Sequence, residues 1–249
     1  MNDRIGNGAL AGLLVLTLIL VGFSLRTREP ETAAAKASAT APAATMGTNS
    51  PSPSPSSGDG PVVFLGDSIA EGKSASAPDK RWTALVAAEL GLKEVNLGHA
   101  RTGYVQKGPK NSCGSAACPN FEGLVADVVN ARPSTVIVTG GGNDSAVPSE
   151  EFSTAVSDTL TSLKEALPDA KIYVVNAWWD LRPVPQSLGG QTSAIEAAAT
   201  AAKVIFLDTK QPLVDKPALM VANGTNPNDA GHAALAKAIT QAMAVSANG

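Results

Sequence analysis

From residue 61 onward the chain alternates short β-rich runs with longer segments of helical pattern, and this alternation most constrains the fold. Strands separated by helices of about ten to fifteen residues pair in parallel through right-handed crossovers. The sequence therefore predicts a central parallel sheet between two helical layers, a three-layer α/β/α sandwich. The predicted strands are 62–65, 94–97, 135–139, 171–176 and 204–207, and the predicted helices are 82–90, 122–131, 150–166, 192–202 and 230–245.

Composition limits the size of this unit and excludes one class of partner. The chain has 249 residues, of which 44% are hydrophobic, and its net charge is −3. This length allows one well-buried domain, predicted over residues 61–247, with extensions. Because basic residues are not in surplus, the sequence indicates no nucleic-acid partner.

An apolar run near the N-terminus, Ala9–Leu25, predicts a membrane anchor over residues 1–28. As a helix it would span roughly 26 Å, near the lower limit for crossing a bilayer core. A cleaved signal peptide is the alternative, but its small-residue cleavage site should follow the apolar run directly. Arg26 and Arg28 stand there instead, and the first alanine-rich segment, 33–37, lies downstream. We therefore favour an uncleaved, single-pass anchor, with secretion as the alternative.

Residues 29–60 predict a disordered tether. They consist almost wholly of Ala, Pro, Ser, Thr and Gly, and they end in a Pro/Ser repeat over 51–57. Such a segment cannot bury enough apolar surface to offset its chain entropy, and its prolines favour extended conformations. Since the arginines around the apolar run give only a weak orientation signal, the tether is the main argument for a domain on the extracytoplasmic side.

The two cysteines fit an exported domain. Cys113 and Cys118 enclose Gly-Ser-Ala-Ala in a loop rich in Gly, Pro and Asn, and the chain has no other thiol. A zinc site would need more Cys or His ligands than the sequence places nearby. We predict a disulfide that pins a surface loop and contributes roughly 2 kcal/mol; a reduced pair is the alternative.

Polar, glycine-bearing loops follow three of the predicted strands. Gly66-Asp67-Ser68 follows the first strand, residues 96–104 contain the second loop, and Gly140-Gly-Gly-Asn143-Asp144 follows the third. Sites in parallel sheets lie at the carboxyl ends of the strands. The three loops therefore predict an anion-stabilising rim around the Ser68 hydroxyl.

With these blocks, and with Pro-Asn-Asp-Ala-Gly-His over 227–232, residues 62–244 resemble the SGNH (GDSL-type) hydrolases, in particular their exported actinobacterial members. The resemblance implies a flavodoxin-like fold and the hydrolysis or transfer of acyl esters without a metal or other cofactor. It also implies that Ser68 is the nucleophile and that the Asn143 amide is an oxyanion donor. A turn residue that caps the next helix is the alternative interpretation of Asn143.

The chain departs from the family pattern at three positions. Where the family has an Asp and a His near the C-terminus, this chain has Asn223 and Asn226. A carboxamide has no useful basicity near neutral pH, so Asn226 cannot take the Ser68 proton and Asn223 cannot stabilise an imidazolium. Where the family has an oxyanion glycine, this chain has Arg101, whose side chain can fill the cleft or hold an anion there.

Asp229 and His232 form a literal Asp-x-x-His and are the candidate substitute pair. The register favours another interpretation, in which Asn228 or Asp229 caps the last helix and His232 lies about 6 Å further along its axis. His99, the remaining histidine, is most simply a loop residue, with a substitute base as the alternative.

Two functions follow from these residues. The first is a catalytically impaired SGNH-type domain, held outside the membrane, that binds a ligand or partner through the inherited cleft. The alternative is an active serine esterase or acyltransferase on acylated cell-envelope carbohydrate or lipid, using Ser68 and a relocated base. Loss of the base and acid favours the first, because the oxyanion hole and binding alone leave only about 10³- to 10⁴-fold over water.

Overall fold

The structure is a computed structural model that describes residues 60–247. Its centre is a five-stranded sheet with strand order β2-β1-β3-β4-β5, in which every pairing is parallel. The three-layer α/β/α sandwich is confirmed. The strands are β1 (Val62–Gly66), β2 (Glu94–Gly98), β3 (Thr135–Thr139), β4 (Lys171–Val175) and β5 (Ile205–Leu207).

Helices connect and cover these strands. They are α1 (Ser68–Glu71), α2 (Trp82–Leu90), α3 (Val125–Asn130), α4 (Ser149–Ala166), α5 (Ser187–Ala202) and α6 (Asp229–Ser246). Short 3₁₀ turns occupy Pro78–Lys80, Glu122–Leu124, Gly142–Asp144 and Pro217–Leu219. The helix predicted over 122–131 is thus divided into a 3₁₀ turn and α3.

The two faces of the sheet bury separate apolar clusters because successive strand side chains point to opposite faces. Val63 and Leu65 of β1 enter the cluster under α3, α4 and α5. Val62 and Phe64 of the same strand enter the cluster under α2 and α6. β1 and β3 are buried along their whole length, as expected of central strands in a parallel sheet.

Two strands end in glycine because the chain approaches them closely. A Cβ on Gly66 would lie 2.6 Å from the Ala70 Cβ, and one on Gly98 would lie 2.3 Å from the Glu71 backbone nitrogen. Neither separation is sterically allowed for a side chain. The glycines therefore let α1 pack directly onto the ends of β1 and β2, which fixes the position of its first residue, Ser68.

The predicted anchor and tether lie outside the described residues, apart from Gly60 at the end of the tether. Among residues 60–247, no helix has the length and apolar character needed to cross a bilayer.

Candidate active site

A cleft of about 380 Å³ opens at the carboxyl edge of the sheet. It brings together four residues singled out from the sequence, namely Ser68, Arg101, Asn143 and Asn226. They come from the loops after β1, β2 and β3 and from the segment before α6, so the convergence depends on the parallel topology.

Ser68 is half-buried at the start of α1. Its hydroxyl makes no hydrogen bond to any described residue, so no base is engaged with it. The Trp82 indole Nε1–H donates to the Ile69 carbonyl at 2.9 Å. Since the Trp82 ring packs edge-on against Phe64 and Trp178, this bond ties the helix that carries Ser68 to the core.

Asp67 lies directly before Ser68 and is 8% exposed. Its Oδ1 accepts the Ile69 N–H at 2.9 Å and caps α1. Burial raises the pKa of this carboxyl to about 6, although the backbone N–H groups of Ile69 and Ala70 oppose the rise. The group beside Ser68 therefore carries a proton at mildly acidic pH.

Arg101 adopts a left-handed backbone conformation, with φ at 66°. A non-glycine residue there costs about 1 kcal/mol, which explains why glycine suits this loop position. The exposed Arg101 side chain lines the cleft, and neither its guanidinium nor its backbone N–H has a partner among the described residues. The next residue is held in place, since the Thr102 hydroxyl donates to the His99 carbonyl at 2.7 Å.

Asn143 lies in the 3₁₀ turn after β3, and its Nδ2 donates to the Thr102 carbonyl at 2.8 Å. This bond joins the second and third loops and leaves the other amide hydrogen without a partner in residues 60–247. Asn143 does not cap the following helix, because α4 begins at Ser149 with Pro148 at its cap position. The geometry favours the oxyanion interpretation of Asn143 over the helix-capping one.

Asp144 organises the loop after β2, a role that the sequence analysis missed. The Asp144 side chain is fully buried. It accepts the backbone N–H groups of Tyr104 at 2.8 Å, Gln106 at 2.9 Å and Val105 at 3.3 Å. Burial raises its pKa, while these three hydrogen bonds oppose the rise. The available signal was a charged residue directly after a Gly-Gly-Gly-Asn turn.

The two amides near the C-terminus are bonded within their own turn. Asn223 is exposed, and its Oδ1 accepts the backbone N–H and the hydroxyl of Thr225, both at 3.0 Å. The Asn226 Nδ2 donates to the same hydroxyl at 3.2 Å. No hydrogen bond joins either amide to Ser68, so these side chains form no hydrogen-bonded relay to its hydroxyl.

Asp229 and His232 are engaged away from the cleft. Asn228 caps α6 by accepting the Gly231 N–H at 3.0 Å, which agrees with the helix-start interpretation. Asp229 accepts from the hydroxyl and the backbone N–H of Ser76, at 2.5 and 2.8 Å. Neither Asp229 nor His232 is among the described residues that line the cleft.

His232 is fully buried, and both of its ring nitrogens contact backbone atoms. The Trp82 N–H donates to Nδ1 at 3.4 Å, and Nε2 lies 3.2 Å from the Lys73 carbonyl. Burial lowers the pKa of the imidazole. These contacts fit a neutral His232 that packs the core between α2 and the segment after α1.

The predicted disulfide joins Cys113 and Cys118. His99 packs against it, with Nδ1 3.8 Å from the Cys113 sulfur. The three side chains form the one group of described residues with metal-like spacing. Because both sulfurs are bonded to each other, neither is a thiolate ligand. His99 does not line the cleft, so the geometry favours its interpretation as a loop residue.

Another part of the cleft lining, residues 178–182, was not anticipated from the sequence. Arg182 forms a bidentate ion pair with Asp180, which is 6% exposed, and its guanidinium lies 4.6 Å from the Trp179 ring centroid. Trp178 and Trp179 also line the cleft. A Trp-Trp-Asp run that begins three residues after the end of β4 was the signal.

Comparisons with known proteins agree with this architecture. Residues 64–234 match the GDSL-like Lipase/Acylhydrolase family. A GDSL lipase of Mycobacterium tuberculosis is 30% identical over 190 residues, which cover 72% of this chain and 79% of the relative.

Two solved structures share the fold. The psychrotrophic esterase EstA from Pseudoalteromonas superposes with a TM-score of 0.59 at 14% identity, covering 77% of this chain and 100% of that one. An aryl esterase of M. smegmatis superposes with a TM-score of 0.56 at 17% identity, covering 76% and 99%. At these identities the likeness concerns the fold alone.

Proposed function

Because the chain belongs to the GDSL-like Lipase/Acylhydrolase family, we propose that it is an extracytoplasmic member that binds a ligand or partner through its cleft and is impaired in hydrolysis. The observation that carries this proposal is the lining of the cleft. Ser68 and Asn143 line the cleft together with Asn226, an amide that we assign to the family's base position.

The segment around the two amides supports their assignment to the family's acid and base positions. A backbone bridge pairs Met220 with Pro227, and Asn228 starts α6 directly afterwards. Asn226 reaches the cleft from this framework. A histidine at 226 would therefore enter the cleft without a change of register, and an aspartate at 223 would lie three residues before it.

Neither histidine replaces the missing base in this proposal. His232 is held by Lys73 and Trp82, and His99 packs on the disulfide. With the base and acid absent, oxyanion stabilisation and binding contribute only on the order of 10³- to 10⁴-fold over water. That remaining rate enhancement is too small for an efficient esterase.

We place the domain outside the membrane, as in the exported actinobacterial members that the sequence resembles. The apolar run Ala9–Leu25 would anchor the chain and residues 29–60 would space the domain from the bilayer. The Cys113–Cys118 disulfide supports this location, since disulfides persist mainly in oxidising compartments.

The test is to restore the acid and base. Asn223→Asp combined with Asn226→His should raise hydrolysis of p-nitrophenyl acetate by about 10²-fold or more, in keeping with general-base catalysis. Each single variant should stay near wild type, because a lone imidazole lacks its orienting carboxylate and a lone carboxylate does not replace the base. Adding Ser68→Ala to the double variant should abolish the gain.

A serine-directed fluorophosphonate probe provides the second measurement. Labelling should be slow in the wild type, faster in the double variant and absent in both backgrounds after Ser68→Ala. Efficient wild-type ester turnover that depends on Ser68 and His232 would contradict the proposal and support the active esterase with a relocated base. A double variant that folds normally and stays silent would locate the defect at Arg101, to be tested by adding Arg101→Gly.

A further inference from the structure

A second cavity of about 250 Å³ adjoins the cleft. Arg101 and Asn143 line both spaces, so the two cavities share these residues as a common wall. The remaining lining comes from the segment 106–109, which includes Lys107. Among residues 60–247, no acidic residue lines this side cavity.

The walls of the side cavity are held from behind by buried contacts. The Gln106 N–H donates to the Asp144 carboxylate at 2.9 Å. Two residues later, the Gly108 N–H donates to the Cys118 carbonyl at 2.9 Å, and a Cβ on Gly108 would lie 2.6 Å from the Ser112 hydroxyl. A buried carboxylate and the disulfide loop therefore fix the backbone that presents Lys107.

The charges in and beside this cavity are unbalanced. Arg101 and Lys107 form no ion pair with any described residue, and the same holds for Lys73 in the adjoining cleft. The one other cation of the cleft, Arg182, is neutralised by Asp180. Asp67, the other carboxylate of the cleft, is 8% exposed and caps α1 beside Ser68, and Asp144 is fully buried behind the wall. The charged side chains that line the side cavity itself, Arg101 and Lys107, are both positive.

We infer that the side cavity is a subsite for an oxyanion group, a carboxylate or a phosphate, of the ligand that occupies the cleft. The planar Arg101 guanidinium suits bidentate binding of such a group, and Lys107 adds charge. The left-handed conformation of Arg101 sets the direction of its side chain at the junction of the two spaces. This inference rests on the proposed ligand-binding function and specifies the ligand's chemistry.

The test follows the Arg101 Nε–H resonance of the full-length protein in neutral detergent by NMR. The probes are inorganic phosphate, glycerol 3-phosphate and succinate, with glycerol and with chloride at matched ionic strength as negative controls. Saturable shifts are expected at Arg101 and in segment 106–109. The affinity measured from the resonances of segment 106–109 should fall about tenfold or more in Arg101→Gln, because a charge-assisted bidentate contact is lost.

Arg132→Gln is the matched control. Arg132 is also exposed and also has a positive φ, of 51°, but it precedes β3 at the opposite edge of the sheet. The control should keep the wild-type affinity within about twofold, since no cavity contact is removed. Equal affinity in Arg101→Gln and Arg132→Gln, or shifts that track ionic strength alone, would overturn the inference.

The three probes separate the sources of the anion. Saturation by glycerol 3-phosphate alone identifies a phosphate ester of the headgroup type, saturation by inorganic phosphate alone identifies free phosphate, and saturation by succinate identifies a carboxylate. Each of these results supports an oxyanion subsite. The measurement needs no turnover, so it succeeds or fails separately from the esterase test on Asn223 and Asn226.

Discussion

Asp67, whose carboxyl is buried beside Ser68, should destabilise the folded protein above mildly acidic pH, because the carboxyl becomes charged there. The pKa of Asp67 rises from 3.8 to about 6, chiefly because burial disfavours its charged form. The folded protein therefore binds more protons than the unfolded chain between these values. The contribution of the neutral carboxyl to the free energy of unfolding is fully present below pH 3.8. This contribution is lost as the pH rises through about 6.

The size of this effect follows from the pKa shift. At roughly 1.4 kcal/mol per pKa unit, ionisation of Asp67 lowers the free energy of unfolding by about 3 kcal/mol above pH 7. Asn approximates the neutral carboxyl and keeps an acceptor for the Ile69 N–H. Relative to wild type, Asp67→Asn should therefore gain about 3 kcal/mol between pH 3 and pH 8.

The assay is urea unfolding at a series of pH values, followed by tryptophan fluorescence. Comparing variant and wild type at each pH cancels the contribution of His232, whose lowered pKa acts in the opposite direction. Asp169→Asn, in the exposed loop before β4, is the control and should show a small difference at every pH. A stability difference for Asp67→Asn that does not change with pH, or that changes against the variant, would refute the reasoning.

Four further predictions concern other parts of the molecule. Asp144→Ala should lower the free energy of unfolding by at least about 3 kcal/mol, measured by urea unfolding, because three backbone N–H groups lose their acceptor. Replacing Cys113 and Cys118 by Ser should cost about 2 kcal/mol in the same assay, and mass spectrometry without reduction should find the two residues joined; alkylatable thiols in the native compartment would contradict this. His232→Ala should destabilise the fold by about 2 kcal/mol or more while Ser68 labelling by the fluorophosphonate stays unchanged in the folded fraction. The full-length protein should fractionate with membranes through residues 9–25, and a soluble form starting near residue 38 would contradict the anchor.

The fold could be predicted because its determinants are local. Alternation of β-rich and helical segments gave every strand to within one residue at either end, since buried central strands leave continuous apolar runs. The start of α5 was missed. Gly189 and Gly190 argue against a helix on propensity, yet α5 begins before them at Ser187. Burial of Leu188 in the core provides a tertiary contact that propensity does not include.

The site could be predicted only in part, because several of its contacts join residues that are distant in the sequence. Motif residues such as Ser68 and Asn143 follow from strand ends, which the pattern locates. The contact of His99 with the disulfide and the ion pair of Arg182 with Asp180 depend on loop paths that no periodicity encodes. The positive φ of Arg101 likewise appears only in the folded loop.

Some locally unfavourable features of the domain lie around the cleft, although left-handed residues such as Arg132 and Lys203 also lie outside it. Asp67 is buried with a raised pKa, Arg101 occupies a conformation that favours glycine, and the turn before Asn143 needs positive φ at Gly140 and Gly141. Asp67 also caps α1, so its burial has a structural role, but local rules are most often broken where function compensates for the loss. Replacing Arg101 by glycine would relieve its backbone strain, so its retention beside the buried Asp67 is consistent with the ligand-binding cleft that we propose.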